Sequence, residues 1–374
     1  MNRDILQATP EELLGGLAGK MEETPQNPRW HGEGSVLAHT KLVTKTMTES
    51  PAFMDADIRT QQNLYLAAVF HDIGKIRTTR LEDGQWVSPG HARVGAEMAR
   101  QILWREFGLC GTPEKQNIRE AVCNLIRYHS LPPYAIENGD GKLRLMRAAA
   151  NDVLAPGFTI RSLCAISEAD ALGRICDDKA DMLDRIALCA ELAKEVGCYD
   201  GPYPFPTAHT AYACLSGKQV SPEYPLYDDT WGEVILLSGL PGTGKDTWIK
   251  NNCPQIPMIS LDEIRKELNI LPTQNQGRVV DAARERAKEL LRKKQSFVWN
   301  ATNILPTTRK QQIDLFAAYG ASVRVVYLET EWDEQLRRNA SRPDAVPEGA
   351  ISDMLEKLTP PEYFEAHRVE WHCV

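Results

Sequence analysis

The chain has 374 residues, a formal net charge of −8, 43% apolar and 25% charged side chains, a make-up that suits a globular protein with room for two domains of ordinary size. Nothing in the overall charge points to nucleic-acid binding, and only a local basic groove in the C-terminal half stays open. The start, "MNRDILQATPEELLGGL", has no basic segment leading into an apolar run, and no apolar stretch of membrane-spanning length follows, so a complete, cytoplasmic chain with no membrane partner is expected. Nine cysteines are scattered without a CxxC pair, which reads as buried, reduced thiols.

In chain order, the first pattern is helical from about residue 12 to 196. "LYLAAVFHDIG", "ARVGAEMARQILWREF", "NIREAVCNLIRYH", "TIRSLCAISEADALGRI" and "DMLDRIALCAELAKEV" all repeat apolar residues at three and four, and strand-like runs are absent there. A stretch dense in Pro, Gly and Tyr marks a boundary. Beyond it "EVILLSG", "PMISL", "SFVWNAT" and "SVRVVYLE" are short β-rich runs separated by helical patterns, the alternation of a parallel α/β sheet. The expectation is an all-α domain over 1–205, a connector over 206–230 and an α/β domain with a parallel sheet over 231–374.

The histidines carry the chemistry of the first domain. His39, His71, His91 and His129, with Asp72 beside His71 and Asp170 in "EADALGR", each lie in or at the end of a separate helical pattern. Adjacent His71 and Asp72 can chelate one ion from a helix end, and His39 and Asp170 can close the coordination sphere from distant helices. Nitrogen and oxygen donors in that mixture suit a divalent transition metal (manganese, nickel, cobalt, iron, copper or zinc) and leave positions for water and a phosphate oxygen. Lys75, about one turn from His71, shares its face and is a candidate catalytic cation. Arg93 and Arg174 are weaker candidates for substrate phosphate, with a solvated surface role as the competing reading. His31 and Glu33, just before His39, either line the site or cap the helix.

The order H…HD…H…H…D resembles the HD phosphohydrolase superfamily over roughly residues 25 to 200. "HDIGK" with "ADALGR" is particularly similar to the HD domains of some tRNA nucleotidyltransferases, which implies cyclic phosphodiesterase and 2′-phosphatase activity on nucleotides. The resemblance implies that His39, His71, Asp72 and Asp170 hold one metal. His91 and His129 match positions that bind a second metal in binuclear members or contact phosphate in mononuclear ones.

In the second domain "EVILLSGLPGTGKDTW" has the strand–loop–helix order of a phosphate-binding loop. Gly239, Gly242 and Gly244 let backbone N–H groups turn onto phosphate oxygens, and Lys245 reaches the terminal phosphates. ATP with Mg²⁺ is the expected cofactor pair. Asp262 opens a helix after the second strand, where a general base for an acceptor hydroxyl belongs, and Arg265 follows on the same helical face. Arg338 and Arg342, four apart, can point from one side of a lid onto ATP phosphates.

These pieces resemble the phage-type 5′-polynucleotide kinases over roughly residues 232 to 360, whose phosphate loop, base element, strand-end element and lid correspond to "GLPGTGK", "LDEIR", "NATN" and "RNASR…VP" here. The likeness implies Asp262 as general base, Arg265 as a contact to the acceptor strand, Asn303 as an orienting residue, and Arg338 with Arg342 as the lid. Two positions depart from that pattern. Asp246 stands where a hydroxyl is expected after Lys245, and Asn300 stands where the strand-end acid is expected. The two departures read as one change: the Mg²⁺ carboxylate has moved onto the loop, with Thr247 as a second source of a hydroxyl.

A helical HD domain joined to such a kinase resembles the bacterial HD–polynucleotide kinase end-healing enzymes. The resemblance implies RNA or DNA ends as substrates, phosphorylation of a 5′-hydroxyl, removal of a 2′,3′-cyclic or terminal phosphate, and functional coupling to a polynucleotide ligase. The basic helix "ARERAKELLRKK" is a candidate wall for a strand, and an ordinary solvent-facing helix explains it equally well. An HD nucleotidase fused to a small-molecule kinase, and an ATP-binding sensor without phosphoryl transfer, are the competing expectations.

Overall fold

A computed structural model describes residues 3–374 apart from Asn138 and Pro272. The chain forms two compact units. One runs to Leu109 and resumes over Glu114–Pro204, and the other comprises Cys110–Pro113 and Phe205–Val374.

The first unit is built around helix Ile58–Phe70, whose residues 62–70 are all buried. A helix apolar on all sides belongs at the centre of its unit. Its start is fixed by Asp57, whose carboxylate accepts from the amides of Arg59 and Thr60, satisfying two of the N–H groups a helix start leaves open. Helices Val36–Glu49 and Ile160–Gly173 pack against it, and begin on the hydroxyl caps of Ser35 and Thr159. The all-helical expectation fails at one place. Strands β1 (Arg80–Glu82) and β2 (Gln85–Val87) pair antiparallel across Asp83 and Gly84, both at positive φ. An Asp-Gly pair between two short runs is the turn chemistry of a tight hairpin, and the strands are too short to show a period.

In the second unit β3 (Glu233–Ser238), β4 (Met258–Ser260), β5 (Val298–Asn300), β6 (Ser322–Glu329) and β7 (Arg368–Cys373) form one parallel sheet in the order β4-β5-β3-β6-β7. The first four coincide with the β-rich runs of the sequence. The edge strand β7 does not figure among them. Leu237, Val298, Val326 and Leu328 are buried to the last atom, as strands covered by helices on both faces must be. Residues 205–230 cluster with this unit and include helix Ala208–Leu215, capped by the Thr207 side chain. Because β3 lies between β5 and β6, the carboxyl ends of β3, β4 and β5 open side by side, where an open α/β sheet places its ligand.

Among the described residues no helix is long and apolar enough to cross a membrane. All nine cysteines are free, and only Cys176 and Cys373 are not fully buried.

Candidate functional site

In the helical unit, His39 comes from the buried face of helix Val36–Glu49, His71 and Asp72 from the turn that ends the central helix, His91 from the start of helix His91–Arg105, His129 from just past helix Pro113–Tyr128 and Asp170 from helix Ile160–Gly173. Gly74 makes the close approach possible, since a Cβ there would lie 2.1 Å from the carbonyl oxygen of His91 and 2.5 Å from the amide of Gly95.

The rings share one orientation. Nδ1 of His71, His91 and His129 each sits 2.7–2.9 Å from the backbone carbonyl three residues earlier, those of Ala68, Ser88 and Ile126. Nδ1 of His39 lies 2.9 Å from Oε1 of Glu33. Partners of that kind fix the tautomer and turn Nε2 toward a common centre. There Asp72 Oδ2 lies 3.3 Å from His71 Nε2 and 3.7 Å from His39 Nε2, while Oδ1 lies 3.5 Å from His91 Nε2. His91 and His129 approach at 3.4 Å between their Nε2 atoms. Asp170 Oδ1 is 3.0 Å from His39 Nε2. His39, His71 and Asp72 form one triad of donors and Asp72, His91 and His129 another, each within 4.8 Å.

Three observations fit a divalent metal. Nε2 of His71 is buried, with Asp72 Oδ2 at 3.3 Å but no hydrogen bond of good geometry. Burial pushes His129 down to about 3 and lowers His91 despite the neighbouring Asp72, so both are neutral imidazoles, the form that ligates. Burial alone would raise Asp72, but the ammonium of Lys75 and the His71 ring outweigh it and hold the carboxyl well below its usual range. Asp170 is likewise held low, against its own burial, by Arg174 and His39. Ionised carboxylates beside the neutral imidazoles of His91 and His129, at closely spaced donor atoms, make a donor set that could hold one divalent cation or two.

Around the ligands, Lys75 Nζ lies 2.7 Å from Asp72 Oδ2, donates to Gln26 Oε1 at 2.7 Å and lies 3.5 Å from His31 Nε2. Glu33 does not cap the helix, a task that falls to Ser35. Its Oε1 is 2.7 Å from His31 Nδ1 and its Oε2 accepts from the amide of Ile175 at 2.9 Å. Arg174 grips Asp170 at 2.7 Å and acts on the site through it. Arg93 is not drawn into the cluster, being paired with Glu97 and 66% exposed. Gln26 carries no signal in the sequence, because a lone amide in a loop has no recognisable spacing.

In the α/β unit the loop 239–244 leaves β3 and enters helix Lys245–Asn252. Gly239 has φ 146°, and a Cβ there would lie 2.4 Å from the carbonyl oxygen of Leu328, so only glycine lets the loop turn so close to β6. Lys245 Nζ donates to the carbonyls of Gly239 and Leu240 at 2.9 Å each, holding its ammonium over the loop. Burial lowers its pKa to about 8, with Asp246 opposing the shift and Arg342 adding to it. Gly242 and Gly244 also have positive φ, and Asp246 and Thr247 are exposed on the first turn of the helix.

Asn300 ends β5, and its amide donates to Asp246 Oδ1 at 2.7 Å, so the two departures of the sequence touch. Asp262 is 69% exposed beside the loop-bearing edge and ion-paired with Arg265, which also donates to Gln276 Oε1. Arg338 donates to Glu334 at 2.6 Å, and a Cβ on Gly244 would be 3.7 Å from its Nη1. Arg342 makes no ion pair among the described residues. The lid loop is clasped by Asn339, whose amide bonds Val346 in both directions at 2.7 and 3.1 Å.

Asn303 lies at the end of the strand-end element. It is buried, at φ 44°, with Nδ2 donating to the carbonyl of Leu237 at 2.7 Å, so it braces the end of β3. Arg309, which no pattern singles out, is fully buried and holds the same corner through the carbonyls of Asn303 and Thr359 and the carboxylate of Glu365. On helix Gly277–Arg292, Arg286 pairs with Glu267 of another helix and Lys288 with Glu285, so part of its basic face is neutralised.

Comparison with known proteins agrees with this division. Residues 37–173 match the HD domain model and residues 234–361 match an AAA domain model. L-seryl-tRNA(Sec) kinase of Methanococcus maripaludis is 26% identical over 136 residues, which is 34% of this chain and 53% of that protein. A CC-adding tRNA nucleotidyltransferase of Thermus thermophilus is 42% identical over 67 residues, 17% of this chain and 14% of that protein. The chain thus spans about half the length of the first relative and a smaller part of the second. It is an HD domain joined to a kinase-like P-loop domain of the AAA class.

Proposed function

We propose that this chain heals broken nucleic-acid ends, with the P-loop unit phosphorylating 5′-hydroxyl ends and the HD unit hydrolysing 2′,3′-cyclic and terminal 2′- or 3′-phosphates. The observation that carries the reading is the pairing of two complementary chemistries on one chain, a phosphate loop with an exposed carboxylate beside it and a histidine–aspartate cation site. Both relatives are named for tRNA, which favours RNA over a small metabolite.

At the kinase site Asp262 takes the proton of the acceptor hydroxyl as its oxygen bonds to the γ-phosphorus and the bond to the β-phosphate oxygen breaks. Its exposure leaves room for a polymeric acceptor. Lys245, Arg338 and Arg342 set positive charge against the transferring phosphoryl. Asp246 would hold the Mg²⁺ that accompanies ATP.

At the other site His39, His71, Asp72 and Asp170 would hold a metal, with His91 and His129 available to a second ion or to phosphate. Such an ion supplies Lewis acidity and a water that ionises near neutral pH. Lys75, already within reach of Asp72, lends positive charge to the phosphate oxygens.

The test is one RNA oligonucleotide with a 5′-hydroxyl and a 2′,3′-cyclic phosphate, incubated with ATP, Mg²⁺ and a transition metal, with both ends resolved. Gain of the 5′-phosphate should vanish in Asp262→Ala alone, and loss of the cyclic phosphate in Asp72→Ala alone. An untouched oligonucleotide beside reacting nucleosides or small phosphoesters would move the function to metabolism, and ATP binding without any transferred phosphate would make the P-loop unit a sensor.

A further inference from the structure

The segment 26–35 straps the histidine–aspartate cluster of the helical unit. Part of it docks on residue 175, just past the helix that carries Asp170. There the amide of Gly32 donates to the carbonyl of Ile175 at 2.9 Å, and the amide of Ile175 donates to Glu33 Oε2 at 2.9 Å. A Cβ on Gly32 would stand 2.9 Å from that carbonyl oxygen, so the close approach needs glycine. At the other end of the segment Gln26 is buried, and both ends of its amide are used. Oε1 accepts from Lys75 Nζ at 2.7 Å, and Nε2 donates to the carbonyl of Ser35 at 3.0 Å. An ammonium can only donate and a carbonyl only accept, so these two partners fix which way the amide points. Ser35 caps the helix that brings His39, so Gln26 ties Lys75 to that helix. The buried ammonium of Lys75 has three N–H groups. Asp72 Oδ2 at 2.7 Å and Gln26 Oε1 take two of them. Facing the third is His31 Nε2 at 3.5 Å, too long for a strong hydrogen bond.

We propose that Gln26 is the positioning residue of Lys75, holding the ammonium beside the cluster with its charge intact and its third N–H free for a phosphate oxygen of the substrate. The proposal rests on the phosphoesterase reading of the HD unit. A lysine carries its charge on a flexible four-carbon stem, and with Asp72 as its one strong partner Nζ could swing about that carboxylate. A second acceptor on a separate segment removes this freedom. Its neutrality matters as much as its place. A carboxylate at position 26 would hold the ammonium as firmly, yet would cancel the positive charge that phosphate oxygens need as their own charge builds up. An amide gives the oxygen without the charge, and its Nε2 end, fixed to the backbone, keeps that oxygen in place. Glu33 on the same strap acts differently, since it meets the ring of His39. The two residues are therefore separable: Gln26 governs turnover and Glu33 governs metal affinity.

The test compares Gln26→Met, which keeps the side-chain length but has neither amide group, with Gln26→Glu, which keeps an oxygen for Lys75 and adds charge. The full chain is loaded with Co²⁺ and given an oligoribonucleotide ending in a 2′,3′-cyclic phosphate. In Gln26→Met kcat should fall about 10²-fold, the scale of a catalytic group misplaced by about an ångström. KM should stay within about twofold, because the lost interaction belongs to the transition state. Co²⁺ affinity, read by competition with a chromogenic chelator, should not fall in either variant, which also shows that the site has folded. Crystal structures should show Lys75 Nζ displaced in Gln26→Met but kept in place in Gln26→Glu, whose kcat also falls because the charge is cancelled. An unchanged kcat in Gln26→Met, an unmoved Nζ there, or Co²⁺ affinity lost in step with activity overturns the proposal. If the native protein hydrolyses neither the oligonucleotide nor p-nitrophenyl phosphate, the phosphoesterase reading falls. The position of Nζ in the two variants then still decides whether Gln26 places Lys75.

Discussion

The side-chain amide of Asn300 donates to Oδ1 of Asp246 at 2.7 Å, joining the end of β5 to the first turn of the helix that follows the phosphate loop. A P-loop site ordinarily pairs a neutral hydroxyl on the loop with a carboxylate at a strand end. Here the acid is on the loop and the neutral group on the strand, in contact, so the local charge is that of the ordinary arrangement. Asp246→Ala is expected to lower Mg²⁺-dependent phosphorylation by about 10²-fold, the scale of losing one transition-state electrostatic contact, and to raise the Mg²⁺ needed for ADP binding in calorimetry. Asp246→Thr should be nearly as damaging, and adding Asn300→Asp to it should restore activity and Mg²⁺ affinity together. Unchanged kinase activity in Asp246→Ala would sink the exchange.

Lys245 provides a pH test. Its pKa in the free protein is about 8, lowered chiefly by burial, and a polyphosphate placed on the loop favours the charged ammonium. Nucleotide binding therefore takes up a proton once the pH reaches this pKa. Affinity is fullest below pH 8 and falls as the pH rises through it. Titrating ADP at pH 8.5 in two buffers of different ionisation enthalpy should show proton uptake, and Lys245→Arg should abolish it. Equal heats in the two buffers for the native protein would show that Lys245 is already charged.

Much of both sites is legible in the sequence because their chemistry forces unusual residues into fixed order. His71 with Asp72, and glycines with Lys245, have few other reasons to occur as they do. What is not legible depends on distance in the chain. Gln26 and Glu33 act through Lys75 and His39, and the amide that holds Glu33 belongs to Ile175. Arg93 and Arg174 look alike on paper, yet one pairs with Glu97 at the surface and the other with Asp170 in the site. Asn303 matches a pattern by name, but a left-handed backbone and the carbonyl of Leu237 claim its side chain. Strand β7 is invisible because six edge residues with mixed burial show no clear period.

Asp72 is shared by both donor triads, which makes metal content diagnostic. Asp72→Asn should leave the HD unit without bound transition metal by elemental analysis. His129→Ala should retain the ion held by His39, His71 and Asp72, and should lose a second one if the native protein binds two. Glu33→Gln weakens the carboxylate beside His39 Nδ1 and should reduce metal affinity about 10- to 100-fold, the usual effect of removing a ligand's orienting partner, as read by competition with a chromogenic chelator. Full metal occupancy in Asp72→Asn would remove Asp72 from the centre.

Glu120 holds the helical unit together away from the site. It lies between two buried guanidinium groups, with Arg100 donating to both its oxygens at 2.9–3.0 Å and Arg119 to Oε1 at 2.7 Å. Arg119 in turn stacks on Trp104, 4.0 Å from the ring centre. Replacing Glu120 by Gln removes the carboxylate that both guanidinium groups share, a loss of about 3–5 kcal/mol that should appear in urea unfolding of the helical unit at pH 7. Burial would raise the Glu120 carboxyl, but Arg100 and Arg119 outweigh it and the net shift is downward. A carboxyl with a depressed folded pKa stabilises above its unfolded value, about 4.3, and that contribution fades as pH falls below it. The gap between the native protein and Glu120→Gln should therefore narrow in acid. A gap that stayed constant down to pH 3 would mean that packing around the carboxylate, and not its charge, is what stabilises this part of the fold.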